Sequence, residues 1–195
     1  MQIRGACALP RVAEYTAEIG AQERLTLMTT TQSNRILAVE VRAARLGYAV
    51  FESPKTLRDF GASSFSSAFT ARSRVARLIR LYRPSLLVLP DAGMRYPKDM
   101  RVRRVVSRIA RDEARKAGVP TARVSERIFK SFFEKHSCRD KYDIAKAVAA
   151  WFPELAWRLP APLAFYDPEP SQMLYFDSIA LGIVHQEGTH KAEGA

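Results

Sequence analysis

Cysteine is nearly absent: Cys7 and Cys138 are the only two in 195 residues. Two thiols are too few for a disulfide scaffold and do not make a zinc-ligand set. They read as free thiols of a reducing compartment, with a single Cys7–Cys138 pair as the alternative. Cys138 has His136 nearby but no base at a defined spacing, so it lacks the arrangement of a thiol nucleophile. Long apolar runs are missing too. No segment approaches about 18 apolar residues free of charge, the length a spanning helix needs. The first residues, with Arg4 and Arg11, carry no apolar stretch like that of a secretory signal. The expected location is therefore cytoplasmic, with no membrane partner. No internal repeat is visible.

Negative charge is also in short supply. Lysine and arginine number 31 against 20 aspartates and glutamates, for a formal charge of +11. The surplus is uneven: residues 36–90 are net +6 and 91–136 net +7, whereas 1–35 are +1 and 137–195 are −3. It is thus built into the central folded segments and not into a detachable tail. Such a distribution suits a shaped surface for a polyanion, either nucleic acid or an anionic membrane surface. What is present in ordinary measure is apolar residue, 47% of the chain, enough for one domain with a substantial core.

Residues 1–34 have no sustained period and read as a poorly ordered extension, in which Arg11–Ile19 is the one candidate helix. Residues 35–186 read as the folded domain, and 187–195 as a flexible tail. Ile36–Val41 and Leu46–Phe51 are two apolar runs joined by a short turn, with Gly47 where a strand allows close backbone approach. Glu40 interrupts the first run. An unpaired buried carboxylate is expensive, so Glu40 either faces solvent at a strand end or belongs to a polar site held by the sheet. Ser53-Pro54 marks a turn, and Thr56–Ala62 follows as a third strand.

Arg72–Tyr82 has helical spacing of Val75, Ala76, Leu78, Ile79 and Tyr82, and Arg83-Pro84 stops it. Leu86–Leu89 is short and aliphatic, as a buried central strand is, and ends at Pro90-Asp91. Gly93–Asp99 is loop-like. Arg101–Ala117 is a strong helix with Val102, Val105, Val106, Ile109, Ala110 and Ala114 as its apolar stripe. Its arginines, Arg101, Arg103, Arg104, Arg108, Arg111 and Arg115, fall on the other faces, and Gly118 suits the C-cap. Val119–Val124 reads as a fifth strand, followed by helices from Ser125-Glu126 to Phe133 and over Lys141–Trp151. Pro153–Asp167 is irregular. Glu169–His185 is a helix apolar all round except for Asp177, hence buried on more than one face. Three strands in a meander, then alternating helices and strands, predict an α/β domain with a mixed sheet flanked by helices.

Three acids stand at suggestive places: Glu40 in the first strand, Asp91 just past the fourth, and Asp177 in the last helix. If these elements adjoin, the carboxylates form an oxygen site for Mg²⁺ or Mn²⁺. Two such ions can position a water and stabilise the leaving oxygen in phosphodiester cleavage. Arg42 and Arg45, in the turn beside Glu40, are placed to meet substrate at the edge of that site. Arg101, Arg104 and Arg108 suit a phosphate-contacting stripe and equally suit an ordinary charged solvent face. Lys141 is a further candidate contact, diluted by Asp140 and Asp143. Phe132 and Phe133 read as core or dimer-interface residues, or, with Phe129, as a wedge into a junction. Trp151, Trp157 and Tyr166 read as packing anchors.

The segment RILAVEVRAARLGYAVFE resembles the first hairpin of the RuvC-like branch of the ribonuclease H-like superfamily, the branch of the Holliday-junction resolvases. RPSLLVLPD resembles the strand that carries the second acid of that family, and DSIALGIVH resembles its final helix. The resemblance covers roughly residues 35–186. It implies a ribonuclease H-like mixed sheet, metal-dependent cleavage of branched DNA, and a homodimer. Glu40 then stands where the first-strand aspartate is expected, one methylene longer. The glutamate of the fourth strand aligns with Pro90, leaving Asp91 one residue late, and a one-residue slip turns a strand side chain to the other face. Asp177 matches the aspartate of the final helix, Leu174 replaces an acid one turn earlier, and His185 matches a terminal histidine. Two functions follow from the resemblance. One is a structure-selective DNA endonuclease using Glu40, Asp91 and Asp177. The alternative is a nucleic-acid-binding or protein-interaction domain that kept the scaffold and lost part of the site.

Overall fold

Strand β1 (Ile36–Arg42) lies at the centre of the sheet, and five of its seven residues are buried. It pairs antiparallel with β2 (Arg45–Ser53) through a tight turn in which Ala43 adopts positive φ, and parallel with β4 (Leu86–Pro90) on its other side. β3 (Thr56–Ser64) extends the meander antiparallel to β2, and β5 (Thr121–Val124) lies parallel to β4. The strand order is β3-β2-β1-β4-β5, the mixed sheet of a ribonuclease H-like fold. The coordinates, a computed structural model, describe residues 34–91, 100–162 and 170–190. The expectations for residues 1–33, for the Gly93–Asp99 loop and for Tyr166 lie outside the described residues.

The period of two along β1 sorts its side chains between two cores. Leu37, Val39 and Val41 face α1 (Ala68–Tyr82) and α2 (Met100–Lys116). Ala38 faces the opposite core, built from α3 (Glu126–Lys135), α4 (Lys141–Trp151) and α5 (Met173–His190). The sheet is therefore a middle layer with helices on both faces. Helix α1 begins four residues before the expected Arg72, because Ser67 and Thr70 form a reciprocal capping box ahead of the apolar stripe. It ends as expected at Arg83, which caps it in the left-handed conformation.

Two glycines set the position of α5. A Cβ on Gly47 would lie 2.6 Å from the Leu174 carbonyl oxygen, and one on Gly182 would lie 2.2 Å from the Phe51 ring. The helix therefore runs along β2 at backbone contact distance, with its N-terminal end over the start of that strand. The close approach expected at Gly47 is thus made by α5. The helix continues past the expected end at His185 to His190, with Gln186 buried and donating to the Gly182 carbonyl. Among the described residues, no helix is long and apolar enough to cross a membrane.

The stripe of α2 departs from the sequence reading. Val102 and Val105 are exposed, Val105 to 50%, whereas Arg103 is buried with Val106, Ala110 and Ala114. The helix is rotated so that a cation enters the interior in place of Val102 and Val105, and the reason lies in β1.

Candidate functional site

Glu40 is the last but two residue of β1 and sits opposite Gly47 of β2. By strand alternation it shares the face of Ala38, where the missing side chain of Gly47 lets α5 descend onto the sheet. That descent brings Asp177 beside Glu40. Both carboxylates are buried, so of the two readings for Glu40 the polar site held by the sheet is the one realised.

Each acid is met by the protein's own cations. Arg103 Nη2 donates to Glu40 Oε1, and the backbone N–H of Val41 donates to the same oxygen at 2.9 Å. Arg42 Nη2 donates to Asp177 Oδ2, and Lys141 Nζ stands 3.9 Å from that oxygen. Burial pushes the Glu40 carboxyl above its ordinary range. Arg103 opposes that shift and the neighbouring Asp177 charge adds to it. Two acids and three cations thus converge where β1 ends and α5 begins.

The third acid, Asp91, follows β4, the strand that pairs parallel with β1. Its N–H donates to the Val124 carbonyl, and its half-exposed carboxylate lies 3.6 Å from Arg123 Nη1. Leu174, one turn before Asp177, is buried over Gly47 and offers no oxygen. Among the described residues, no group of three His, Cys, Asp or Glu side chains is disposed to hold a metal ion.

These residues do not fit a Mg²⁺ or Mn²⁺ site. Such ions need several oxygen donors with lone pairs turned to one point. Here Glu40 and Asp177 already direct oxygens at guanidinium groups, and Arg103, Arg42 and Lys141 put positive charge where a cation would have to enter. A divalent ion would have to displace those buried ion pairs, and among the described residues no third acid, histidine or cysteine is grouped with Glu40 and Asp177 to hold it.

The expected phosphate contacts divide into two sets. Arg101, Arg104 and Arg108 are exposed along one side of α2. Arg42 and Lys141 are partly buried and engaged with Asp177, and Arg45 is half-buried at the start of β2. Phe129 and Phe133 are core residues, which removes them as junction wedges.

Two residues escape the sequence reading. Arg103 is expected on the solvent face, yet its spacing to Val106, Ala110 and Ala114 is that of a single helical stripe, a signal present in the sequence. Trp157, expected to anchor packing, is 74% exposed. It lies on a short 3₁₀ helix (Pro153–Arg158) that is held by Leu155 and leaves the indole outside.

No protein-family model and no curated protein matches the sequence. Solved structures do. "Thermus thermophilus RuvC structure" superposes with a TM-score of 0.60 at 16% identity, over 81% of this chain and 96% of that one. "T. thermophilus RuvC in complex with Holliday junction substrate" gives 0.57 at 15% identity, over 82% of this chain and 96% of that one. At such identities the likeness is one of fold: this chain has the ribonuclease H-like architecture that RuvC has.

Proposed function

We propose that this chain binds nucleic acid, branched DNA foremost, without cleaving it. The observation that carries the reading is the occupation of both buried acids by arginine, Arg103 on Glu40 and Arg42 on Asp177. A nuclease of the two-metal kind needs its carboxylates open to ions. A binding domain needs only the scaffold and a positive surface. The central basic surplus and the exposed row Arg101, Arg104 and Arg108 supply that surface. The fold shared with a RuvC solved on a Holliday junction makes branched DNA the first ligand to try.

The test sets the full chain against linear, forked and four-way-junction DNA over a range of salt, with Mg²⁺ and with Mn²⁺. Expected is binding that weakens steeply with salt and no cleavage product with either ion. Arg104→Ala and Arg108→Ala should each lower the slope of log affinity against log salt by about 0.9, one phosphate contact apiece. Cleavage by the wild type that disappears in Glu40→Gln and Asp177→Asn would overturn this reading in favour of the endonuclease. Absence of binding at moderate salt would favour a protein-interaction domain, and preference for RNA would change the ligand.

A further inference from the structure

Both tryptophans are exposed, Trp151 to 39% and Trp157 to 74%, but their neighbours differ. Trp151 packs among Phe132, Phe133 and His136, with ring centroids 5.2–6.1 Å away. Trp157 projects into solvent from a turn anchored on its N-terminal side, where Phe152 and Leu155 are buried. A single exposed apolar residue is ordinary on a protein surface. Trp157 differs because it is braced. The Arg158 guanidinium lies 4.3 Å from the indole centroid, 5.2 Å from the Phe60 ring and 6.0 Å from the Tyr175 ring. The cation thus lies within about 6 Å of the indole and of two rings carried by β3 and α5, and the pair forms a surface of aromatic face and positive charge.

Its position follows from the sheet register. Phe60 faces Ala49, and Ala49 faces Ala38, two residues before Glu40. Two strand spacings and two residue rises put the Phe60 backbone about 12 Å from that of Glu40. The Phe60 ring that meets Arg158 therefore packs against the core on the α5 side of the sheet.

We propose that Trp157, braced by Arg158, is a stacking site for an unpaired nucleobase, with the Arg158 guanidinium taking a neighbouring phosphate. The proposal rests on the nucleic-acid-binding reading above and names the part of the ligand that this site takes. Every base has a flat π-face, so an indole accepts one without reading sequence. A guanidinium stacked on a ring keeps its edge N–H groups for phosphate oxygens. Bases inside a duplex are stacked on each other and offer no free face. The site therefore selects single strands and the unpaired nucleotides of a branch.

The chain contains only two tryptophans, so Trp151→Phe leaves Trp157 as the sole indole fluorophore. Titration of that variant with single-stranded oligothymidylate should quench its emission, and a blunt duplex of equal length should not. Trp157→Ala should weaken single-strand and forked-DNA binding about tenfold, within the range for loss of one stacked base, while leaving duplex affinity unchanged. Trp157→Phe should retain most of the binding. Because the side chain is exposed, an unaltered thermal melt of Trp157→Ala is expected and excludes misfolding as the cause. Unchanged single-strand affinity, equal loss on both forms or no quenching overturns this proposal while the binding reading stands. Failure of the wild type to bind any of these DNAs overturns that reading instead.

Discussion

Arg103 of α2 donates to Glu40 of β1, with the two side chains only 4% and 7% exposed. Withdrawing both charges from water is costly, and their attraction offsets that cost only while the pair is intact. This relationship explains the rotation of α2, which buries an arginine and exposes Val105. It also links the central strand to the helix that carries Arg101, Arg104 and Arg108.

Arg103→Met should lower the unfolding free energy by about 3–5 kcal/mol, because it leaves the Glu40 carboxylate buried without its main counter-charge. Adding Glu40→Leu should recover much of the loss, since an apolar pair of similar volume has no charge to desolvate. Urea denaturation of the two single variants and the double variant measures the coupling. Additive effects would show that the two side chains do not act as a pair.

Gly47→Ala should destabilise by about 1–3 kcal/mol, the usual range for overpacking a filled interior. The new methyl would meet the Leu174 carbonyl at 2.6 Å, and backbone cannot swing aside as a long side chain can. Gly188 is the control, because a methyl added there would have nothing within 4 Å. Gly188→Ala should hold or raise the melting temperature, and equal losses at both sites would mean that α5 is not held at contact distance by Gly47.

Burial lowers the pKa of His185, so the folded state favours the neutral imidazole. The stability this contributes is complete above the ordinary value near about pH 6.5 and is lost as pH falls through the depressed folded value. Glu40 is shifted upward by burial and has the opposite sign: its contribution is lost as pH rises through its raised value. The measurement is therefore the difference in melting temperature between the wild type and His185→Gln. That difference should shrink or reverse as pH falls below about 6.5. A difference independent of pH would mean that His185 does not titrate with unfolding.

Much of the scaffold was legible in local chemistry. The apolar run Ile36–Val41, the short aliphatic run Leu86–Leu89 and the strand–helix order lead to the mixed sheet that the structure has. Helix α4 occupies the expected Lys141–Trp151, and the Arg83-Pro84 stop of α1 was visible because its cause is local. The errors came where a partner from far along the chain decided the outcome. Helical period gave the stripe of α2 but not its phase, since the partner of Arg103 lies 63 residues away. Aromatic character marked Trp157 as a large apolar surface but did not reveal which side of its turn meets the core.

The acids show the same division. Residue order alone puts carboxylates in the first strand and the last helix, lets Gly47 admit a close neighbour, and makes the middle of the chain strongly basic. It took the folded chain to bring Glu40 and Asp177 together, to set Asp91 against Arg123, and to send Arg103, Arg42 and Lys141 into the acid site. The physical reason is range. Strand alternation and helix capping are settled by neighbours within a few residues, whereas a buried charge is settled by whichever opposite charge the fold brings within reach of it.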